Sequence, residues 1–153
     1  MGDRMASGRI RQVDKTPRRW RVGMDIAFVG DVAESIARFG DRYVCRIFTP
    51  HEISCCVGSR AATAEGLAAR FAAKEATIKV LRPTETRPDW RSIEVWRHAG
   101  GWCDLILYGE ASRLAREAEL SDVSVSLSHE GNIAAAVVIA QSSQTELLDG
   151  NRG

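Results

Sequence analysis

The 153-residue chain is long enough for one ordinary domain, and its 44% hydrophobic and 27% charged residues are typical of a globular protein, not a disordered one. No apolar run approaches the roughly 20 residues that a membrane-spanning helix needs, which excludes that class. The formal net charge of +1 divides into +4 for residues 1–19 and −3 for the rest, so the acidic body makes a nucleic-acid-binding domain a poor fit.

The same asymmetry predicts the domain organisation. We expect residues 1–19 to form a loose basic leader, residues 20–140 to form one folded domain and residues 141–153 to form a loose polar tail. The alternative for the leader is binding to nucleic acid or to an acidic protein surface.

Cysteine use and the N-terminal residues indicate the compartment. Cys45, Cys55, Cys56 and Cys103 show no CxxC spacing, and two adjacent cysteines make poor disulfide partners or metal ligands. The basic N-terminal segment has no apolar stretch after it, unlike a signal peptide. We therefore expect a soluble protein of the reducing cytoplasm that does not associate with membranes.

The first predicted element is a strand, WRVGMDIAFV, which begins at Trp20. Large apolar side chains occupy one face at period two, and Asp25 shares the other face with small neighbours. Aspartate is disfavoured on a strand and costly to bury alone. Asp25 therefore needs a cation, a hydrogen-bond donor or solvent.

Three helices are predicted next. DVAESIARFG predicts a short helix that ends at Gly40. TPHE predicts a second helix, with Thr49 as N-cap and Glu52 completing a capping box. The longest helical pattern covers about residues 60–81 and ends before Pro83.

The remaining segments predict four strands and one helix. SIEVW, CDLILY, VSVSLS and IAAAVVIA are typical of strands, and EASRLAREAEL predicts an amphipathic helix before the last two of them. HEGN is a turn signal between those last two strands. The order β-α-α-α-β-β-α-β-β indicates an α+β fold.

The long helix carries RFAAKEATIK, in which Glu75 and Lys79 lie one turn apart on one face. Two interpretations are open. The two residues can form an exposed ion pair worth roughly 0.3–0.5 kcal/mol. Alternatively, Glu75 and Asp25 together can hold Mg²⁺, which prefers a few oxygen ligands plus phosphate and water, and Lys79 can then face the phosphate charge.

Three further residues have two possible roles. His129 lies at the mouth of the predicted hairpin, where it can contact a ligand or bind nearby backbone as a turn histidine. Arg82 and Arg87 lie in the loop after the long helix, where they can contact phosphate or remain solvated.

Three segments together resemble a known family. VGMDIAFV, RFAAKEATIK and VSLSHEGNIAAAVVIA, in this order over residues 22–140, resemble the holo-(acyl-carrier-protein) synthase group of 4′-phosphopantetheinyl transferases. The resemblance implies transfer of the 4′-phosphopantetheine group from coenzyme A to a serine of an apo acyl carrier protein, with release of 3′,5′-ADP. It also implies Mg²⁺ as cofactor, a role in fatty acid or other lipid biosynthesis, and a homotrimer with active sites between subunits. The implied fold is a small antiparallel sheet packed against a long central helix.

The resemblance also implies residue roles. Asp25 and Glu75 match the metal-binding carboxylates of the family, and Lys79 matches the lysine that meets the pyrophosphate. Arg70 and His129 match positions that contact coenzyme A phosphates. Glu75, directly or through a metal-bound water, is expected to accept the serine proton. For Glu75, the resemblance favours the ligand interpretation over the exposed ion pair.

The chain departs from the family pattern at three places. Arg82 begins an RPT segment where relatives have a glycine-rich turn, and Trp102 stands where proline is usual. Asp31 lies in the region where relatives carry an arginine that meets the acidic carrier protein. Electrostatic docking of the carrier is therefore expected to use other basic residues, namely Arg38, Arg42, Arg46 or the leader.

One alternative function is a non-catalytic relative that binds coenzyme A or a carrier protein and regulates it. The retained Asp25, Glu75 and Lys79 argue against this alternative, because a binding module has no need of a matched pair of metal ligands.

Overall fold

The computed structural model describes residues 19–143, so the predicted leader before Arg19 and the predicted tail after residue 143 lie outside the described residues. No helix in this range is long and apolar enough to cross a membrane. The elements in chain order are β1 (Arg19–Phe28), α1 (Val29–Phe39), α2 (Asp41–Ile47), α3 (Pro50–Ser54), α4 (Arg60–Leu81), a 3₁₀ helix (Trp90–Ser92), β2 (Ile93–Arg97), β3 (Cys103–Leu107), α5 (Gly109–Glu117), β4 (Leu120–Glu130) and β5 (Ile133–Ser142). Strands β1 and β5 both extend slightly beyond the predicted domain boundaries of 20 and 140.

The strands form two antiparallel sheets instead of the single sheet expected. One sheet has three strands in the order β1-β5-β4, and the other pairs β2 with β3. A local turn joins β2 to β3, and a hydrogen bond from the His98 N–H to the Trp102 carbonyl oxygen at 2.9 Å closes it. The predicted HEGN turn joins β4 to β5, with Glu130 opposite Ile133. The α+β class and the antiparallel pairing are confirmed.

Helix α2 is missing from the predicted elements. Gly40, with φ 55°, ends α1 by donating its N–H to the Ile36 carbonyl oxygen at 2.8 Å. The Gly40 carbonyl oxygen then accepts from the Val44 N–H at 3.3 Å. One glycine therefore ends α1 and begins α2. A helix of 7 residues offers too little periodicity for a sequence pattern to detect.

The N-terminal strand packs closely against the longest described helix. Helix α4 contacts both β1 and β5, and alanines dominate its buried face. A Cβ at Gly23 would lie only 2.0 Å from the carbonyl oxygen of Ala76. Only glycine allows the two backbones to approach this closely. Asp25 follows two residues later on the same face of β1, so this contact positions its carboxylate beside α4.

A buried ion pair connects four elements, namely α3, α4, the 3₁₀ helix and β2. Lys74 Nζ on α4 lies 2.9 Å from Glu52 Oε2, and both side chains are completely buried. Glu52 also completes the predicted capping box with Thr49, which is confirmed, and its Oε1 accepts from the Val95 N–H at 2.9 Å. Lys74 donates to the carbonyl oxygens of Trp90 and Ile93. Burial lowers the pKa of Lys74, and the nearby Glu52 carboxylate opposes that shift.

The Gly23 contact yields a stability prediction. Gly23→Ala should reduce the free energy of unfolding by about 3 kcal/mol, because the new methyl group meets backbone that cannot rotate away. Gly58→Ala is the matched control, since its new Cβ would lie 3.4 Å from Ala62 Cβ, an ordinary contact. Urea unfolding of both variants provides the measurement. Equal stabilities of the two variants would contradict the close approach.

Candidate functional site

Asp25 pairs with Lys79 across the contact between β1 and α4. Lys79 Nζ lies 2.8 Å from Asp25 Oδ1 and donates to the Met24 carbonyl oxygen at 2.6 Å. The Asp25 side chain is 21% exposed and that of Lys79 is 51% exposed. The carboxylate is therefore partly desolvated but open to solvent on one side, with one flexible cation as its partner.

Glu75 pairs with Arg87, for which the sequence left open a phosphate contact or a solvated position. Arg87 Nη2 contacts Glu75 Oε2, and Glu75 is 21% exposed. The ion pair between Glu75 and Lys79 that the helical spacing allows does not form among the described residues. Lys79 instead finds a carboxylate and a carbonyl oxygen on β1. Helical spacing could not reveal either contact, because both depend on how distant segments pack.

Two aromatic residues support the position of Arg87. The Arg87 guanidinium carbon lies 4.8 Å from the centroid of the Trp90 ring, a favourable cation–π arrangement. Trp90 in turn packs against Phe71, with ring centroids 5.2 Å apart. Phe71 lies one turn before Glu75 on α4, so a single face of the helix carries both the aromatic support and the carboxylate.

The donor set at this face fits a hard divalent cation. Asp25 contacts Lys79, and Lys79 lies one helical turn from Glu75 on the same face of α4, so the two carboxylates flank one lysine. Mg²⁺ is usually held by one or two carboxylates, with substrate phosphate and water as its other ligands. The described residues contain no group of three or more His, Cys, Asp or Glu suited to a metal. A metal bound by Asp25 and Glu75 would thus leave positions for phosphate oxygens.

Arg70 lines a separate cavity of about 570 Å³. Its side chain is only 6% exposed, and Nη1 donates to the Gly66 carbonyl oxygen at 3.0 Å. Within residues 19–143, Nε and Nη2 are buried without a hydrogen-bond partner. Buried guanidinium N–H groups are normally paired, so these two donors favour an anionic ligand in the cavity.

His129 lines the same cavity as Arg70. The His129 side chain is half exposed, with Nδ1 3.9 Å from Glu65 Oε2. The residues that line the cavity do not include Asp25, Glu75 or Lys79 of the same chain. The structure therefore pairs Asp25 with Lys79, one helical turn from Glu75, but it places Arg70 and His129 at a second location in the same chain.

Sequence reasoning missed several residues of the cavity. Arg97, at the end of β2, adds a second cation, and Trp102 forms part of the wall. Burial raises the pKa of the Cys56 and Cys103 thiols, against a smaller opposing effect of Arg70. Both thiols are therefore neutral near pH 7, and the cavity keeps its cationic character. The pattern around Arg97 offered no signal, because it is typical of an ordinary strand end.

The sequence matches a known family and its curated members. Residues 21–138 match the family described as the 4′-phosphopantetheinyl transferase superfamily. The chain is 42% identical over 124 residues to a holo-[acyl-carrier-protein] synthase of Moorella thermoacetica, a match that covers 81% of this chain and 95% of that protein. A protein of the same name from Desulforudis audaxviator is 40% identical, with 78% of this chain and 90% of that protein covered.

Solved structures share the fold. The Chronobacterium ammoniagenes ACPS-CoA complex aligns with a TM-score of 0.73 at 28% identity, covering 82% of this chain and 99% of that one. The acyl carrier protein synthase of Mycobacterium tuberculosis aligns with a TM-score of 0.62 at 34% identity, covering 79% of this chain and 96% of that one.

Proposed function

The chain belongs to the 4′-phosphopantetheinyl transferase superfamily, and from this membership we propose that it converts apo acyl carrier proteins to their holo forms. The enzyme transfers 4′-phosphopantetheine from coenzyme A to a serine of the carrier and releases 3′,5′-ADP, the activity named for its relatives. The observation that supports this activity most strongly is the site of Asp25, Glu75 and Lys79, which combines two oxygen ligands with one cation.

Asp25 and Glu75 are the proposed metal ligands. Mg²⁺ bound there would stabilise the charge that develops on the leaving 3′,5′-ADP. Both carboxylates are about one-fifth exposed, so each can exchange its present cation for another without unfolding of the site. The Asp25–Lys79 and Glu75–Arg87 pairs support this reading, because they show that each carboxylate attracts a cation.

Proton and charge transfer follow from the same face of α4. The serine Oγ attacks the phosphorus next to the pantetheine, and the bond from that phosphorus to the 3′,5′-ADP oxygen breaks. Glu75 accepts the serine proton at a carboxylate oxygen. Lys79, released from Asp25, neutralises a pyrophosphate oxygen through a charge-assisted hydrogen bond. Asp25 and Lys79 thereby exchange partners when substrate binds.

Arg70 and His129 are proposed to bind the phosphates of coenzyme A. The unpartnered Nε and Nη2 of Arg70 support this assignment. Arg97, in the same cavity, would add a further cation. Since the carboxylates of the same chain do not line this cavity, the site is best completed by a second subunit, whose cavity would face Asp25 and Glu75.

A homotrimer is the proposed assembly. The outer face of the three-stranded sheet exposes large apolar side chains that lack cover within residues 19–143, and exposed apolar patches of this kind mark protein interfaces. Their exposed fractions run from 37% to 59%. These residues are Val22, Met24, Ile26, Phe28, Ile133 and Ile139. Ser124, Ser126 and Ser128 on β4 continue the same face.

The carrier protein is proposed to dock on α1 and α2. Arg38, Arg42 and Arg46 are all exposed on these helices, where they can attract an acidic partner. Asp31, in the first turn of α1, is also exposed and would oppose such a partner at its own position. The cationic contribution therefore comes from the C-terminal end of α1 and from α2.

We place the reaction in the cytoplasm, since the four free thiols suit a reducing compartment.

Substitution of the carboxylates tests the proposed activity. Asp25→Ala and Glu75→Ala should each lower the transfer rate by at least about 100-fold, because a site that loses one of two protein ligands seldom keeps useful metal affinity. The measurement incubates enzyme, coenzyme A, Mg²⁺ and an apo acyl carrier protein, and intact mass spectrometry follows the added 4′-phosphopantetheine.

Asp104→Ala is the matched control. Asp104 is also a paired carboxylate, 2.7 Å from His98 Nε2, but it lies on β3 and is 62% exposed. This variant should keep the wild-type rate. Near-wild-type transfer by Asp25→Ala or Glu75→Ala would refute the metal assignment, and the absence of transfer by the wild-type enzyme to several different carriers would refute the activity.

The assembly is tested by a charge on the apolar face. Ile26→Lys should convert the trimer to monomers. The free energy needed to bury a charged lysine between subunits exceeds the free energy that one apolar side chain contributes to association. Light scattering coupled to size exclusion gives the mass. Phe39→Lys, at a residue equally exposed but on α1, should remain trimeric. A wild-type protein that is monomeric at micromolar concentration would contradict the trimer.

A further inference from the structure

Arg87 forms an ion pair with Glu75, the carboxylate that the proposed function assigns to the metal. It lies in the loop between α4 and the 3₁₀ helix, and its Nη2 contacts Glu75 Oε2. Its side chain is 50% exposed, so water and ions can reach the guanidinium. The contact between Arg87 and Glu75 is thus an accessible ion pair at the position where the second metal ligand is needed.

The position of Arg87 does not depend on Glu75 alone. Its guanidinium carbon lies 4.8 Å from the Trp90 ring centroid, and Trp90 packs against Phe71. The next residue, Pro88, is buried and restricts the backbone of Arg87 to extended conformations. The guanidinium is therefore held near the site by its own support, and it would remain there if Glu75 took another partner.

We propose that the Arg87 side chain changes partners during the reaction. It neutralises Glu75 in the free enzyme, and it binds a phosphate oxygen of coenzyme A when the metal is bound to Glu75. The proposal rests on the metal role assigned to Glu75. A guanidinium and a divalent cation cannot share one carboxylate without strong mutual repulsion. The planar, permanently charged guanidinium also suits phosphate, because it can offer two parallel N–H donors.

This exchange makes metal binding and coenzyme binding cooperative. In the free enzyme, a metal bound to Glu75 would displace Arg87, and the Arg87 guanidinium would then lie unpaired beside the metal. The pyrophosphate of coenzyme A supplies the anion that Arg87 then needs. The metal should therefore bind the free enzyme weakly and the coenzyme-bound enzyme more tightly, and coenzyme A should gain the same factor from the metal.

The test measures metal affinity by calorimetry, with Mn²⁺ as the probe and with no carrier protein present. Mn²⁺ is titrated into the wild type, Arg87→Ala and Arg87→Gln, with and without coenzyme A. Both variants should bind Mn²⁺ about two- to fivefold more tightly than the wild type in the absence of coenzyme A, because an exposed competing ion pair has been removed. The factor by which coenzyme A tightens Mn²⁺ binding should be smaller in both variants than in the wild type.

Arg91→Ala is the matched control for charge. Arg91 lies on the neighbouring 3₁₀ helix and is exposed, and its side chain does not contact Glu75 within the described part of the chain. Its removal lowers the net charge equally, so it should leave the affinity for Mn²⁺ unchanged. A gain in affinity equal to that of Arg87→Ala would show a general charge effect and overturn the proposal.

Two other outcomes are decisive. Equal Mn²⁺ affinities in the wild type and both Arg87 variants, including no binding to any of them, would overturn the exchange. Glu75→Gln separates this failure from failure of the proposed function. If Glu75→Gln abolishes Mn²⁺ binding while the Arg87 variants match the wild type, only the exchange is wrong. If Glu75→Gln leaves Mn²⁺ binding intact, the metal role of Glu75 is wrong as well.

Discussion

The close contact between β1 and α4 at Gly23 is the constraint on which the site depends. The Ala76 carbonyl oxygen occupies the space where any other residue at position 23 would place its Cβ. That contact brings the edge strand of the larger sheet down onto the helix. Asp25 then reaches Lys79, which lies one helical turn from Glu75. The small alanine side chains on the buried face of α4 also allow the strands to approach the helix closely.

Lys74 and Glu75 are neighbours on α4, but the ion pair of Lys74 is buried and fixed, whereas that of Glu75 is partly exposed and can change partners. Lys74 and Glu52 are completely buried, and backbone groups complete their hydrogen bonds. Removing one partner of such a pair typically costs about 3–5 kcal/mol, so this connection is permanent. Glu75, the next residue, lies on the partly exposed face, where ion pairs contribute little and change partners easily. A fixed frame and a replaceable set of cations suit the proposed reaction, in which a metal and a pyrophosphate would enter together.

The sequence predicted the local features well, because they depend on short-range rules. The strand that carries Asp25 opposite the large apolar face, the capping box of Thr49 and Glu52, and the extent of the long helix all follow from periodicity and capping. Periodicity did not show that the large apolar face of this strand is the exposed one. The Glu75–Arg87 and Asp25–Lys79 pairs do not, because each depends on packing between distant segments. Arg70 lies five residues before Glu75 and so on another face of α4, and the resemblance implied active sites between subunits, but no sequence pattern located the cavity that Arg70 lines. Arg82, which begins the segment where relatives have a glycine-rich turn, has φ 53° at the end of α4, a left-handed conformation that glycine usually adopts.

The most direct test of the central claim is the position of the metal in a crystal of the enzyme with coenzyme A and Mn²⁺, located by anomalous scattering. We expect a peak bonded to one carboxylate oxygen of Asp25, one of Glu75 and an oxygen of the coenzyme pyrophosphate. A peak that contacts neither carboxylate, or an Asp25 that remains paired with Lys79 while the metal binds elsewhere, would contradict it.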